Sequence, residues 1–291
     1  MKVIDTHVHF WDIDAVPVPW LTPAGEAYSG DNRKLPTRYT DVELLAGAGD
    51  VDVLKIVNVE AKSGDPLAET RWLQHLAERA GHPDAIVAMV DLSAADAAEQ
   101  LAQHARSPNL RGIRQILNVH ADPVYDYVGR HYMAEPQWRA NLSALAAHGL
   151  SFDLQIYPSQ AALAAELAAE NADIMFILNH AGMCVDRHRA GWREWREGLR
   201  RLAAQRNVVT KISGLAMFDH HWTIESLRPY VLETIEAFGP ERCMFASNFP
   251  VDGLHAGYAA TWHAYAEIVA DASGAERDAM FVGNAERYYR I

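Results

Sequence analysis

Short apolar runs alternate with amphipathic segments along nearly all of the 291 residues of the chain. Most of the runs are almost continuously apolar, which is typical of parallel strands that are buried on both faces. The pattern predicts eight strands: Lys2–Phe10, Val53–Glu60, Ile86–Leu92, Leu110–Leu117, Ser151–Tyr157, Met175–Gly182, Val208–Ser213 and Cys243–Pro250. Segments rich in Ala, Leu and Glu at helical spacing predict helices at Glu69–Ala80, Ala94–His104, Trp138–His148, Gln160–Glu170, Trp192–Gln205, Ile224–Phe238, Glu276–Phe281 and Asn284–Tyr289.

Strands that alternate with helices predict an α/β fold with a parallel sheet, and eight strands are the number that closes a (β/α)₈ TIM barrel. An open doubly wound sheet is the alternative. No glycine-rich dinucleotide-binding turn follows the first strand, and polar residues fall at the carboxyl ends of the strands, where a barrel carries its active site. Because no linker, repeat or low-complexity segment interrupts the pattern, we expect a single domain over residues 1–291.

Two connections are longer than the others. Trp11–Thr40 follows the first strand and is rich in proline, and Asn118–Gln137 follows the fourth strand and is rich in His, Tyr and Asp. Both would lie over the mouth of the barrel, where they would shape a substrate pocket with Trp20 in its wall. Ordered surface loops without ligand contact are the alternative.

The charge of the chain limits its partners. It has 38 acidic and 26 basic residues, a formal net charge of −12. This charge would repel a phosphate backbone, so we expect no nucleic-acid partner. No apolar stretch approaches the roughly 20 residues that span a bilayer. The first residues lack the apolar core of a signal peptide. The two cysteines, Cys184 and Cys243, are not spaced as metal ligands would be. We therefore expect a cytoplasmic protein with no membrane partner.

His7 and His9 are separated by one residue on the first predicted strand, so their side chains should share one face of it. Asp5 would share that face as well. Buried imidazoles are costly unless they form hydrogen bonds or hold a metal ion. The pair therefore indicates an active site at this strand.

Further polar residues end or interrupt other strands. His180 ends the sixth strand, where it would reach the barrel mouth or cap the next helix. Lys211 interrupts the seventh strand, and a buried cation needs a carboxylate, a ligand or a shifted pKa. Arg114 in the fourth strand could bind a substrate carboxylate with two hydrogen bonds or form an ion pair inside the barrel.

The remaining candidates are amides and carboxylates. Gln155 and Asn248 could bind a hydroxyl or carbonyl group of a substrate, but an amide is a poor base and a poor metal ligand. Glu60, Asp252 and the segment Asp219–His221 are the available proton acceptors. Each of these is as readily explained as a loop cap or a surface residue.

The segment Ile-Asp-Thr-His-Val-His-Phe-Trp-Asp at 4–12 resembles the opening of the amidohydrolase superfamily, and most closely its lactonase branch. Similar motifs follow in order: Arg-Gly-Ile-Arg (111–114), Asn-His-Ala-Gly-Met (179–183), Lys-Ile-Ser-Gly-Leu (211–215), Arg-Cys-Met-Phe-Ala-Ser-Asn-Phe-Pro-Val-Asp (242–252) and Gly-Asn-Ala-Glu-Arg-Tyr-Tyr-Arg (283–290). The resemblance implies a distorted TIM barrel that hydrolyses lactones, with His7, His9 and His180 around the substrate carbonyl.

Two positions depart from the pattern that the resemblance implies. Asn248 stands where the family usually has an aspartate, and Gln155 lies near the place of a metal-binding histidine. A binuclear metal site is therefore not expected. The resemblance leaves two alternatives: one Zn²⁺ or other divalent metal on His7, His9 and His180, or carbonyl polarisation without a metal.

We interpret the sequence as that of a hydrolase, a lactonase that opens a sugar-acid or dicarboxylate lactone by attack of water. The expected partner is a small anionic or polyhydroxylated substrate. The sequence does not determine whether the chain forms a homo-oligomer. The expected catalytic residues are His7, His9, His180, Asn248 and Asp252, and the expected substrate-binding residues are Arg114, Gln155, Lys211, Trp20 and Glu60. A decarboxylase resembling aminocarboxymuconate-semialdehyde decarboxylase and a non-catalytic barrel that binds a small acid are the alternatives.

Overall fold

Eight parallel strands form the centre of the computed structural model, which describes residues 1–291, the whole chain. The strands are β1 (Lys2–Val8), β2 (Asp52–Val59), β3 (Ala85–Met89), β4 (Leu110–Ile116), β5 (Ser151–Gln155), β6 (Phe176–Leu178), β7 (Val208–Ile212) and β8 (Cys243–Phe245). They pair in sequence order from β1 to β8. A parallel bridge between Val8 and Phe249 joins the segment after the last strand to the first strand. The predicted TIM barrel is confirmed.

Helices surround the barrel, and one follows each strand. They are α1 (Asp41–Gly47), α2 (Pro66–Ala80), α3 (Ala97–His104), α4 (Pro136–Ser143), α5 (Ala161–Glu170), α6 (Arg189–Ala203), α7 (Ile224–Phe238), α8 (Tyr258–Ile268), α9 (Gly274–Asp278) and α10 (Asn284–Tyr289). None of them has the length and hydropathy that crossing a bilayer requires.

The sequence pattern did not predict α1 and α8. Helix α1 is short and is preceded by its N-cap residue Thr40, which forms a capping box with Glu43. A single cap of this kind stabilises a helix too short to show clear periodicity. The predicted helix Glu276–Phe281 is divided, because α9 is followed by a π-helical turn at Ala279–Gly283.

The predicted strands extend too far at their carboxyl ends. The run Met175–Gly182 is a strand only to Leu178, because His180 and Ala181 adopt left-handed backbone conformations with φ of 54° and 50°. In the last strand the chain leaves the sheet after Phe245, and Asn248 has a φ of 60°. His180 and Asn248 thus lie on turns that begin where the strands end.

Apolar residues from the strands fill the lower part of the barrel. Ile4, Val57, Ile177 and Val209 belong to one buried cluster, and residues of α10 pack against them. The C-terminal helix therefore closes the barrel opposite the mouth that carries the polar strand ends.

Candidate active site

A bulge in β1 determines which side chains of that strand face the barrel interior. The pairing of β1 with β2 shifts register between Asp5 and Val8. Ile4 packs with the interior residues, whereas Asp5 accepts hydrogen bonds from the Tyr258 hydroxyl of α8 and from the Ser247 backbone N–H. The expectation that Asp5 shares a face with the histidines is wrong, because one extra residue in a strand reverses its alternation.

His7, His9 and His180 form one buried group at the mouth, as predicted. The ring centroid of His7 lies 4.9 Å from that of His9 and 4.4 Å from that of His180. Burial lowers the pKa of all three imidazoles, that of His9 to about 3, and the charge of Arg114 lowers those of His9 and His180 further. All three side chains are therefore neutral at physiological pH.

The hydrogen bonds of His9 determine its tautomer. Its Nδ1 lies 2.8 Å from the Val59 carbonyl oxygen and 3.1 Å from that of Glu60. Because both neighbours only accept hydrogen bonds, Nδ1 carries the proton, and Nε2 has a free lone pair.

His180 is held by the turn that follows β7. Its Nδ1 lies 3.0 Å from the Ser213 hydroxyl oxygen. Gly214 comes next, with a φ of 63°, and a Cβ added to it would lie 2.5 Å from His180 Nδ1. Only glycine fits at this point, because the backbone is left-handed and the imidazole occupies the space of a side chain.

Arg114 forms the predicted ion pair and also lines the cavity, and its binding of a substrate carboxylate stays a prediction. Its Nε donates to Glu60 Oε1 at 2.6 Å, and Nη2 donates to the Glu60 carbonyl oxygen at 2.8 Å. Nη1 donates to Gln155 Oε1 at 2.9 Å and lies 3.5 Å from His7 Nε2. These contacts fix the guanidinium in one orientation and leave one of its five N–H bonds, on Nη2, for a ligand.

Lys211 lies beneath His7 and does not line the cavity. Its Nζ is 2.8 Å from Asp153 Oδ1 and 3.5 Å from His7 Nδ1. Asp153 also accepts a hydrogen bond from the Tyr289 hydroxyl, which comes from α10. The buried cation thus has a carboxylate partner, one of the three possibilities given for it. Lys211 does not face the cavity, so its predicted role in substrate binding is not supported.

Asn248 and Asp252 form a hydrogen-bonded pair beside the histidines. Asn248 Nδ2 donates to Asp252 Oδ1 at 2.7 Å, and its backbone N–H donates to the His7 carbonyl oxygen. Burial raises the pKa of Asp252 to about 7. Asn248 lines the cavity and Asp252 lies directly behind it.

The cavity at this mouth has a volume of about 240 Å³, close to the lower end for small-ligand sites. The predicted residues in its wall are His9, Trp20, Glu60, Arg114, Gln155, His180 and Asn248. Sequence reasoning missed Tyr28, Ser29, Asn32, Lys62, Tyr127, Met217 and Val251. Tyr28 and Tyr127 belong to the two long loops, and their aromatic character was the signal that could have found them.

The two long loops meet over the cavity. Tyr28 is at the tip of a small hairpin formed by Glu26–Ala27 and Gly30–Asp31. Its ring stacks on Phe218 at 5.4 Å and contacts the ring of Tyr125 at 5.8 Å. The expectation that both loops shape the pocket is confirmed.

The segment Asp219–His221 supports the first loop from outside the cavity. His220 Nε2 lies 2.9 Å from the Tyr28 carbonyl oxygen, and its ring stacks on His255. Asp219 pairs with Arg187. These groups do not line the cavity, so they are not among the proton acceptors that face it.

The arrangement of donors does not suit a metal ion. No three His, Cys, Asp or Glu side chains converge as metal ligands would. The two nitrogens of His7 face the cations of Arg114 and Lys211, and Asn248 offers an amide where a carboxylate would bind a metal. The single metal ion on His7, His9 and His180, one of the two alternatives of the sequence analysis, is not supported by this geometry.

Fold and site together define a barrel hydrolase with its polar residues at the carboxyl ends of the strands. The sequence profile of the amidohydrolase family matches residues 4–291. Two relatives extend over almost the full length. An uncharacterised protein of Sinorhizobium fredii is 40% identical over 297 residues, which are 100% of this chain and 99% of the relative. An L-fucono-1,5-lactonase of Burkholderia multivorans is 31% identical over 303 residues, 99% of this chain and 96% of that protein.

A solved structure has the same fold. The crystal structure of an amidohydrolase from Burkholderia multivorans with bound zinc superposes with a TM-score of 0.83 at 28% identity, covering 100% of both chains. Members of this superfamily typically bind a divalent metal. The chain belongs to the amidohydrolase family and is a lactonase-like hydrolase that acts on small molecules.

Proposed function

We propose that the protein opens a lactone of a sugar acid or of a dicarboxylic acid by attack of water on the ring carbonyl. The observation that carries the proposal is the arrangement of Arg114, His9 and His180 in one small cavity. Arg114 is a fixed cation, and the two imidazoles are neutral. Arg114 and an N–H of His180 stabilise a carbonyl oxygen that becomes negative in the transition state, whereas His9 Nε2 can only accept a hydrogen bond.

The reaction consumes one water molecule and breaks the ring C–O bond. Attack of water produces a tetrahedral intermediate whose oxyanion accepts hydrogen bonds from Arg114 and from an imidazole N–H. Collapse releases the ring oxygen, which takes up a proton and becomes the hydroxyl group of the product acid. Asn248 Oδ1 is free to orient the attacking water, because Asn248 Nδ2 is held by Asp252.

Asp252 is the proposed acceptor of the proton from water. Both oxygens of Glu60 are already engaged, Oε1 by Arg114 and Oε2 by the backbone N–H of Lys62. Asp252 has a pKa of about 7 because it is buried, which is the range that suits a general base. Since Asn248 separates Asp252 from the cavity, the proton passes through one bridging water.

The proposed reaction needs no metal ion. His180 polarises the carbonyl group through a hydrogen bond from its neutral ring, and Arg114 donates a second hydrogen bond. His9 Nε2 can only accept a hydrogen bond, and His7 lies behind the cavity wall between Arg114 and Lys211. The relatives named as L-fucono-1,5-lactonases support a substrate with one polyhydroxylated ring. The cavity volume suits a single ring, and Trp20 with Tyr28 provides aromatic faces on which a sugar ring packs.

The test is hydrolysis of a panel of lactones, followed through the proton that each ring opening releases. We expect turnover by the wild-type protein, and a loss of about 100-fold or more in kcat for His180→Ala, since one oxyanion donor is worth this much. Turnover should persist after dialysis against a chelator, checked by metal analysis. Full activity of His180→Ala would contradict the proposed site, and activity that is lost on chelation and restored by Zn²⁺ would contradict the metal-independent reaction.

A further inference from the structure

Lys62 is a cation in the cavity wall that has no carboxylate partner. Its Nζ lies over two aromatic rings, 5.2 Å from the ring centroid of Trp20 and 4.4 Å from that of Tyr127. The other buried cations of the site do have partners, because Arg114 pairs with Glu60 and Lys211 with Asp153. The charge of Lys62 is therefore available to a ligand.

The position of Lys62 is built into the fold. Its backbone is left-handed with a φ of 55°, which is rare for a residue other than glycine. The backbone N–H of Lys62 donates to Glu60 Oε2 at 2.7 Å. The preceding residue, Ala61, donates to Glu69 Oε1 and accepts from Trp20 Nε1. Hydrogen bonds on both sides thus hold this turn at the mouth.

The charges in the cavity wall add up to a positive site around Lys62. Glu60 and Arg114 cancel each other, and His9 and His180 are neutral. Burial lowers the pKa of Lys62 to about 8, although Glu60 opposes the shift. A partly desolvated ammonium group without a counter-ion favours an anion at this place.

A second cavity of about 240 Å³ adjoins the first at this residue. The two cavities share Glu60, Lys62, Ile116 and Tyr127 in their walls. A ring bound near His180 can therefore extend a substituent past Lys62 toward the second cavity.

We propose that Lys62 is a specificity-determining residue that binds a carboxylate substituent of the substrate. The preferred substrates are then lactones that carry a free carboxylate in addition to the ring ester, and neutral sugar lactones are poorer substrates. This inference rests on the proposed lactonase function and identifies which substrates that function serves.

A matched pair of lactones tests the inference. Galactaro-1,4-lactone has a carboxylate at the terminal carbon where galactono-1,4-lactone has a hydroxymethyl group. We expect Lys62→Met to lower kcat/KM for the aldarolactone by about 10- to 100-fold, mainly through KM, because a hydrogen bond to a charged group is lost. The same substitution should change kcat/KM for the neutral lactone by less than about threefold, as expected when no charged group is involved. Lys62→Arg keeps the charge and the left-handed backbone, so it should retain the preference.

The pH profile gives a second measure. For the aldarolactone, kcat/KM should fall as pH rises through about 8, because Lys62 then loses its charge. Glu60 and Arg114 also face this group, but they remain paired. Lys62→Arg should abolish the fall, since a guanidinium stays charged. Equal effects of Lys62→Met on both lactones, or no effect on either, would overturn the inference.

Binding of the open-chain products separates failure of this inference from failure of the proposed function. Calorimetry with galactarate and galactonate needs no turnover. Galactarate should bind more tightly than galactonate to the wild-type protein, and Lys62→Met should remove the difference. If neither lactone is hydrolysed but this difference is found, the lactonase proposal fails and the anion site stands. Unchanged affinity for galactarate in Lys62→Met would count against the anion site.

Discussion

His7, His9 and His180 show how single residues obtain their chemical state from their surroundings. Burial and nearby cations keep the three rings neutral. The opposite shift acts on Asp252, where burial raises the pKa to about 7 and places the carboxyl group near its titration point in neutral solution. Burial thus favours the neutral form of both kinds of group, and the proposed reaction uses His180 as a hydrogen-bond donor and Asp252 as the proton acceptor.

At the residue scale, the pH dependence of turnover tests the role of Asp252. Asp252 can accept a proton only as a carboxylate, so kcat/KM for a neutral lactone should rise as pH increases through about 7. Asp252→Asn should lower kcat/KM by about 100-fold and remove the rise. The measurement is a series of initial rates after subtraction of uncatalysed hydrolysis. If Asp252→Asn keeps the wild-type pH dependence of kcat/KM, another group accepts the proton, and Glu60→Gln is the next variant to compare.

At the scale of elements, His9, His180 and Asn248 lie just past the strands that precede them, whereas His7 and Arg114 lie on strands. The chain leaves β6 one residue before His180, and it leaves β7 just before Ser213 and Gly214. These two turns are in contact, because the Ser213 hydroxyl forms a hydrogen bond with the His180 ring and Gly214 packs against it. The strands therefore place the turns, and the turns orient the imidazole.

Gly214→Ala tests this contact. The added Cβ would lie 2.5 Å from His180 Nδ1 and 2.7 Å from Met217 Cε. We expect a stability loss of about 1–2 kcal/mol from the left-handed backbone, and a loss of activity of at least about tenfold as the ring is displaced.

Gly149→Ala is the matched control for that variant. Gly149 has nearly the same φ, 62° against 63° at Gly214, and nothing lies within 4 Å of its added Cβ. It should lose similar stability in urea denaturation but keep wild-type kcat. Equal turnover in the two alanine variants would show that the contact with His180 is unimportant.

At the scale of the whole molecule, the two ends of the chain meet in the barrel. The first strand carries His7 and pairs with the segment after β8. The last helix contributes Tyr289, whose hydroxyl group donates to Asp153 beneath the histidines. The buried pair of Asp153 and Lys211 thus depends on α10 for one of its hydrogen bonds, and an isolated buried charge is costly.

Tyr289→Phe should destabilise the protein by about 1.5–3 kcal/mol, the usual contribution of a hydrogen bond to a charged group. Tyr288→Phe is the comparison, because the Tyr288 hydroxyl donates to the carbonyl oxygen of Glu241, a neutral acceptor. Its loss should cost about 0.5–1.5 kcal/mol. Urea denaturation at neutral pH measures both. A loss of stability in Tyr289→Phe no larger than that in Tyr288→Phe would show that the Tyr289 hydroxyl does not stabilise the buried charge of Asp153.

The sequence alone determined the order of elements and the strand ends at which the polar residues gather. Apolar runs and helical spacing depend on neighbours within a few positions, so β1 to β8 and most helices could be predicted from local patterns. The motifs around His7, His9 and His180 likewise sufficed to identify the family and the lactonase-like class.

Which side chains come into contact depends on the tertiary structure and could not be predicted from the sequence. Arg114 and Glu60 are 54 positions apart, and Lys211 meets His7 across 204 positions. Such partners come together only when the barrel closes, because periodicity does not encode distance between strands. The bulge that turns Asp5 outward, the isolation of Lys211 from the cavity and the unpaired charge of Lys62 follow from that closure. Their physical cause is the cost of burying a charge or a polar group without a partner, which is set by the folded chain as a whole.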